Sequence, residues 1–320
     1  YDLDNAEAVT YTGQSLIKFT KKIANYYYNA ELSDKENYCI YIDTDSVFYS
    51  ALPLIQKRFP NKSFNEVEMT KRIMEICGEV QEYLNKSYNY FAKKFCNLET
   101  HRFDIKQEVI AKSGLFVTKK RYGMKIINDN GVKVNKLHVK GLDIVRSSFP
   151  AAFKECLTKV LEDILAGVPM LKINEFILNF KKSMKLKKYD TIAMPTSAKN
   201  VKKFISMGEG ILNAKKGTPV HIKSAINYNN FLLINKLNKK YPSVGNGEKI
   251  KWTYLKDNPF KFDTICDKGH EDPKEVLDYI KKYIDTDKIY KQALAKKIKM
   301  LYEALKWEEP NDDFGFNKFF

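Results

Sequence analysis

The chain has 320 residues, 44% hydrophobic and 13% aromatic, which is enough for a sizeable core and excludes wholesale disorder. Fifty-five Lys and Arg stand against 39 Asp and Glu, and a net charge of +16 serves either solubility or an anionic partner, chiefly nucleic acid. There is no apolar run long enough to span a membrane, and the opening Tyr1-Asp2-Leu3-Asp4 has neither the basic nor the apolar region of a signal peptide. Val9, Gly13, Leu16, Ile17, Thr20, Ile23, Ala24 and Tyr27 recur at helical spacing and predict a helix over 6–28. Residues 38–50 are dense in β-branched and aromatic types around a polar centre. They predict a hairpin with Asp43-Thr44-Asp45-Ser46 at its tip. A long helix follows over 66–95, with Val67, Ile73, Cys77, Val80, Leu84, Phe91 and Phe95 on one face. Strands are expected over 101–110, 114–127 and 132–140, the last two joined by the turn signal Asp129-Asn130-Gly131.

The character changes near residue 140. Ser148 is expected to cap a helix carrying Phe153, Leu157, Val160, Leu161 and Ile164, which ends near Gly167-Val168-Pro169. A second helix carries Ile173, Phe176, Ile177, Phe180 and Met184. A basic loop region, a helix near 224–239, short strands near 249–256 and helices near 273–304 complete the pattern. The expected class is α+β: an antiparallel-sheet unit with packed helices over 1–140, then a mainly helical unit over 141–320. The five cysteines form no C-x-x-C pair and the four histidines are scattered. A reducing compartment fits better than a disulfide framework or a zinc site.

Asp43-Thr44-Asp45-Ser46 carries the most chemistry. Strand alternation would put Asp43 and Asp45 on one side of the sheet. Two carboxylates held that close favour a cation between them. Mg²⁺ takes hard oxygen ligands, commonly one or two carboxylates plus phosphate oxygens. A calcium loop does not fit, because Val47 and Phe48 stand where it needs an oxygen ligand and a glycine. A plain solvated hairpin turn is the commoner meaning of such a tetrapeptide taken alone.

Tyr41-Ile42-Asp43-Thr44-Asp45-Ser46 resembles the Y-x-D-T-D-S motif of family B DNA polymerases, in particular those of T-even-type phages. Lys119-Lys120-Arg121-Tyr122 resembles the K-K-R-Y motif of that family, about 75 residues on and in the right order. Tyr1-Asp2-Leu3 and Thr12-Gly13-Gln14 are similar to the helix after the fingers. Gly141-Leu142-Asp143 with Ser147-Ser148 is similar to the junction of palm and thumb. Pro219-Val220-His221-Ile222-Lys223 and Gly247-Glu248-Lys249 resemble thumb segments. The resemblance implies a C-terminal part of the palm over 1–140 and a thumb over 141–320. It implies that Asp45, with Asp43 beside it, is a catalytic ligand of Mg²⁺, two ions in the complete enzyme. The reaction implied is attack of a primer 3′-hydroxyl on the α-phosphate of an incoming dNTP. In the same family Lys120 and Tyr122 would contact the primer end. Strand alternation puts those two on one face and Lys119 and Arg121 on the other. A basic strand edge that discourages aggregation is the alternative meaning of this segment.

The charge is concentrated. Residues 181–223 hold eleven lysines and two acids, a surplus of nine positive charges. Lys199, Asn200, Lys202, Lys203, Lys215, Lys216, His221 and Lys223 are the candidate contacts to the phosphates of a primer–template duplex. A solvated lysine-rich face is the blander reading. Phe314, Phe316, Phe319 and Phe320 crowd the last seven residues. By resemblance, residues 311–320 are a tail for a sliding clamp, with docking back onto the thumb as the alternative. The palm and fingers motifs that precede this region in the family do not occur here. The chain is therefore expected to be inactive alone and to need an upstream polymerase region, in cis or in trans. A fragment, the C-terminal subunit of a split polymerase, and a non-enzymatic DNA- or clamp-binding module are the readings in play. A cytoplasmic location is expected, that of the host if the protein is phage-encoded.

Overall fold

The computed structural model describes residues 2–207, 211–269 and 272–310. The fold is α+β, with helices and several small antiparallel sheets. Of the described residues, those up to Phe116 together with Met124–His138 form one compact unit. Val117–Gly123 and the residues from Val139 on form the other. The division differs from a single cut at 140 in assigning Val117–Gly123 to the second unit.

In the first unit, helix α1 (Leu3–Leu32) starts where the Asp2 carboxylate accepts from the backbone N–H of Asp4 and Asn5, and stops at Ser33 in the left-handed region. It is longer at both ends than its hydrophobic pattern implies, because capping rather than packing sets its limits. Only Thr20, Ala24 and Tyr28 are buried on it, a stripe of four-residue spacing. That stripe meets helix α3 (Glu66–Phe95), where Thr20 Oγ1 and Tyr88 Oη lie 2.8 Å apart in a buried hydrogen bond. Asn65 and Glu68 form a reciprocal capping box that starts α3. Its buried face is Ile76, Leu84, Tyr88, Phe91 and Ala92, while Val67 and Phe95, expected on that face, are exposed. Between them lie strands β1 (Cys39–Asp43) and β2 (Ser46–Tyr49) and the short helix α2 (Leu52–Arg58). Arg58 of α2 joins all three helices through Glu31 at 3.1 Å, Glu79 at 2.7 Å and the Tyr27 hydroxyl. Burial and the hydrogen bond to Glu79 push the Tyr27 phenol up to about 12.

Two expected strands are redrawn. Most of 101–110 is irregular chain, held by side chains of α3: Asn85 accepts from Ile105 N at 2.9 Å and Gln81 from Gln107 N at 2.8 Å. Strand β3 runs Val109–Thr118 and strand β4 Arg121–Asp129, so the single strand expected over 114–127 is broken at Lys119-Lys120. Lys120 has φ 63°, a left-handed conformation that ends a strand. Asn130 and Gly131, both at positive φ, turn β4 into strand β5 (Val132–Lys140), as the sequence predicts. The sheet order is β3-β4-β5.

The second unit opens with helices α4 (Ala151–Leu165) and α5 (Met170–Ser183). The cap of α4 is Pro150 rather than Ser148, with no side-chain hydrogen bond. Pro169, Pro219 and Pro273 occupy the same position before α5 and two later helices, each fixing φ near helical values and stopping the helix from extending backwards. After the single turn α6 (Tyr189–Ile192) come strand β6 (Met194–Ala198) and the hairpin β7 (Ile205–Met207) and β8 (Leu212–Ala214). Helix α7 (Val220–Ile234) is buried along every residue from Ser224 to Leu232. A helix buried all round is a core helix, and α7 packs on the sheet β10-β9-β6, where β9 is Glu248–Tyr254 and β10 Thr264–Asp267. The sequence had shown strands only near β9. Helix α8 (Lys274–Tyr283) precedes a last helical run: α9 (Thr286–Ile289), a π-helical stretch Tyr290–Ala295, and α10 (Lys296–Leu305). All five cysteines are free, and no described helix is long and apolar enough to cross a membrane.

Candidate functional site

Asp43 is the last residue of β1 and pairs with Ser46, which leaves Thr44 and Asp45 as a two-residue turn. Thr44 takes the positive φ of 30° that closes it. Alternation along a strand therefore does not govern this pair, since Asp45 belongs to the turn. Asp43 is 6% exposed and Asp45 is exposed, so the two carboxylates sit at different depths of one tip. The Thr44 hydroxyl donates to Asp43 Oδ1 and the Ser46 hydroxyl to the Asp43 carbonyl, each at 3.3 Å.

The hairpin is held by rings. Cross-strand neighbours Tyr41 and Phe48 both pack on Phe116 of β3, at centroid distances of 5.3 and 5.6 Å. At its other end Tyr49 stacks on Tyr28 at 5.5 Å and donates to the Lys21 carbonyl at 3.0 Å. The donor set at the tip is hard oxygen, which fits a divalent cation such as Mg²⁺. Among the described residues no group of three or more His, Cys, Asp or Glu converges, so the pair could supply only part of a coordination sphere.

Lys119 and Lys120 form the exposed turn between β3 and β4, which replaces the expected facing of Lys120 with Tyr122 on one strand. Tyr122 is 3% exposed, with the Lys140 ammonium 6.0 Å from its ring centre. Arg121 is half-buried and reaches Met300 Sδ of α10 at 3.3 Å. Gly141 shows why this turn needs a glycine partner. It has φ +71°, and a Cβ there would lie 1.9 Å from the Lys120 carbonyl oxygen. The Gly141-Leu142-Asp143 segment thus lies against the Lys119-Lys120 turn. Asp143 is itself buried, paired with Lys297 at 3.0 Å and Arg146 at 3.4 Å.

Most of the basic cluster is assembled by the β7–β8 hairpin. Lys202 and Lys203 precede β7 and Lys215 and Lys216 follow β8, so both pairs meet at its open end. Lys215 Nζ donates to the Lys203 carbonyl at 3.0 Å. Lys199, Lys202, Lys203, Lys215 and Lys216 are exposed. Asn200 stands at φ 57° and its N–H donates to Asn246 Oδ1 at 2.6 Å. Lys223 departs from expectation, since its ammonium pairs with Asp263 at 2.7 Å. His221, in the first turn of α7, is half-buried, and burial lowers its pKa below 6.5.

Sequence reasoning missed what holds this hairpin. Asn230 of α7 donates to the Leu212 carbonyl at 2.7 Å and accepts from Leu212 N at 2.8 Å. Asn229 does the same for Val244, at 3.2 and 2.7 Å. Three asparagines (227, 229 and 230) inside an otherwise apolar helical stretch were the available signal, since a buried amide needs partners. Phe314, Phe316, Phe319 and Phe320 lie outside the described residues.

The chain is 27% identical over 273 residues to the DNA-directed DNA polymerase of Escherichia phage RB69, covering 81% of this chain and 29% of that protein. It is 24% identical over 319 residues to the DNA-directed DNA polymerase of Enterobacteria phage T4, covering 95% of this chain and 34% of the other. A DNA polymerase of Methanocaldococcus jannaschii is 29% identical over 220 residues, 68% of this chain and 11% of that one. The chain thus spans about a third of the length of these two phage polymerases. The profile of DNA polymerase family B matches residues 1–305, and the chain belongs to that family.

Proposed function

We propose that the chain is the C-terminal palm and thumb portion of a DNA-directed DNA polymerase, in which residues 1–140 supply part of the palm and 141–320 the thumb. The observation that carries this is the tight turn that places Asp43 and Asp45 at one hairpin tip, in a chain of this family. Asp45, exposed, and Asp43, buried behind it, would hold a divalent cation such as Mg²⁺. When bound, the ion would stabilise charge on the phosphoryl oxygens of an incoming nucleotide. The aromatic packing of Tyr41, Phe48 and Phe116 fixes the tip, so the carboxylates need little reorganisation. Lys199, Lys202, Lys203, Lys215 and Lys216 would grip the duplex backbone, with Lys119 and Lys120 near the primer end. Such contacts position DNA without reading its sequence. Half-buried His221 and ion-paired Lys223 would be secondary contacts.

The activity would require the upstream polymerase region, in cis or in trans, and the chain alone would bind primer–template without extending it. A tail over 311–320 would engage a sliding clamp, and the protein would act in the cytoplasm. The test is primer extension with the upstream region supplied, comparing the native chain with Asp45→Asn. Extension that survives the substitution would overturn the metal role. Extension by the isolated chain would overturn the requirement for a partner region.

A further inference from the structure

A second basic surface lies far from the lysine-rich stretch in sequence and has no part in the reading above. Lys18, Lys21 and Lys22 of α1 line an open, shallow surface pocket of about 390 Å³ together with Asn25, Tyr26, Asn29 and Asn37. No carboxylate is among its lining residues, and none of the three ammonium groups pairs with an acid among the described residues. Three cations within five residues of one helix repel one another, a cost that an anion would remove.

The floor is rigid. Asn25 Nδ2 donates to Asn37 Oδ1 at 2.9 Å, and Asn25 Oδ1 accepts from Tyr38 N at 2.9 Å. Lys21 sits on a turn of α1 whose carbonyl is tied to Tyr49. Lys18, Lys22 and Tyr26 follow at four-residue spacing and so form one stripe, roughly 12 Å long at 1.5 Å rise per residue. Tyr26 is 57% exposed, and the Lys22 ammonium lies 5.9 Å from its ring centre. The pocket therefore offers a line of cations ending in an exposed aromatic face.

We infer that this pocket binds single-stranded nucleic acid, its phosphates on Lys18, Lys21 and Lys22 and one base stacked on Tyr26. Cations that track a backbone beside an aromatic platform are the pattern for sequence-tolerant single-strand binding. A single strand is favoured over a duplex because an exposed ring can stack only on a base whose face is free. The inference is independent of the metal hairpin and of the β7–β8 lysines.

The experiment is fluorescence anisotropy with labelled dT20 and with a hairpin duplex of equal length, titrated with salt. In the variant Lys18→Gln, Lys21→Gln, Lys22→Gln, the slope of log affinity against log salt for dT20 should flatten by about 2, with the duplex slope unchanged. Tyr26→Ala should weaken dT20 binding about fivefold or more, and Tyr26→Phe should restore it. Circular dichroism melting should match the native chain for all variants, which are surface changes. An unchanged dT20 slope in the triple variant would overturn the inference. So would equal losses on dT20 and duplex, which would mark a general basic surface.

Discussion

Two small hairpins of opposite charge carry the proposed chemistry, and they are built in opposite ways. In β1–β2 the functional residues sit at the tip, in a two-residue turn, and rings on both faces hold the strands. In β7–β8 the functional lysines sit at the open end, and buried amides of α7 hold the strands. Carboxylates that share a cation must be fixed within fractions of an ångström, and packed rings fix position on all sides. Lysines that meet a phosphate backbone work as point charges on flexible stems, so it suffices to fix the backbone beneath them.

That contrast can be broken by substitution. The largest effect is expected for Lys202, Lys203, Lys215 and Lys216 changed together to Gln. Four lost phosphate contacts should flatten the salt dependence of duplex binding by about 3 to 4, measured by anisotropy. If the slope holds, the open end of β7–β8 is not the grip. Phe116→Ala removes the ring shared by Tyr41 and Phe48 and should cost about 2–3 kcal/mol, read by denaturant melting, with duplex affinity unchanged. Asn230→Ala leaves the Leu212 N–H and carbonyl without their amide partner. It should cost about 1–3 kcal/mol and also weaken duplex binding, since it frees the strand that leads to Lys215. A destabilised Asn230→Ala protein with native duplex affinity would separate the hairpin from the grip.

The smallest effect concerns His221. Its folded pKa lies below the ordinary 6.5 because burial disfavours the charged ring, so the unfolded chain binds the proton more readily. Its contribution to stability is present above about 6.5 and is lost as pH falls through the lowered value. His221→Gln should slightly flatten the stability profile in that window, as seen in melts from pH 7 to 5.

Long helices and tight turns were legible because their causes are local. The pattern over 66–95 predicted α3 with its observed bounds, and Asn130-Gly131 announced its turn. The acidic tip was found from one tetrapeptide, although its geometry comes from a turn rather than from alternation. The Lys119-Lys120 turn was missed because strand-forming residues lie on both sides of it, Phe116-Val117-Thr118 before and Tyr122 after, and only Gly141, 21 residues later, marks the close approach. Of the β10-β9-β6 sheet only β9 was expected; β6 and β10 were missed because both are short, and β6 includes a proline. The asparagines of α7 signalled a need for partners, but not which ones, because Asn230 bonds backbone groups of Leu212, which leave no trace in residue type.

The π-helical stretch Tyr290–Ala295 bears on how the last helix tolerates insertion and deletion. A π turn accommodates one residue more than an α turn, so this stretch is where a single residue can be gained without breaking the helix. Because the extra residue is taken up within one turn, removing it would restore a regular helix and leave α10 in nearly the same rotational setting relative to α9. Tyr302 would still face Asn174, which its hydroxyl meets at 2.8 Å, and Met300 would still face Arg121. Related chains one residue shorter at this point can therefore keep the same side chains opposite Asn174 and Arg121, so length should vary there while side-chain identity holds.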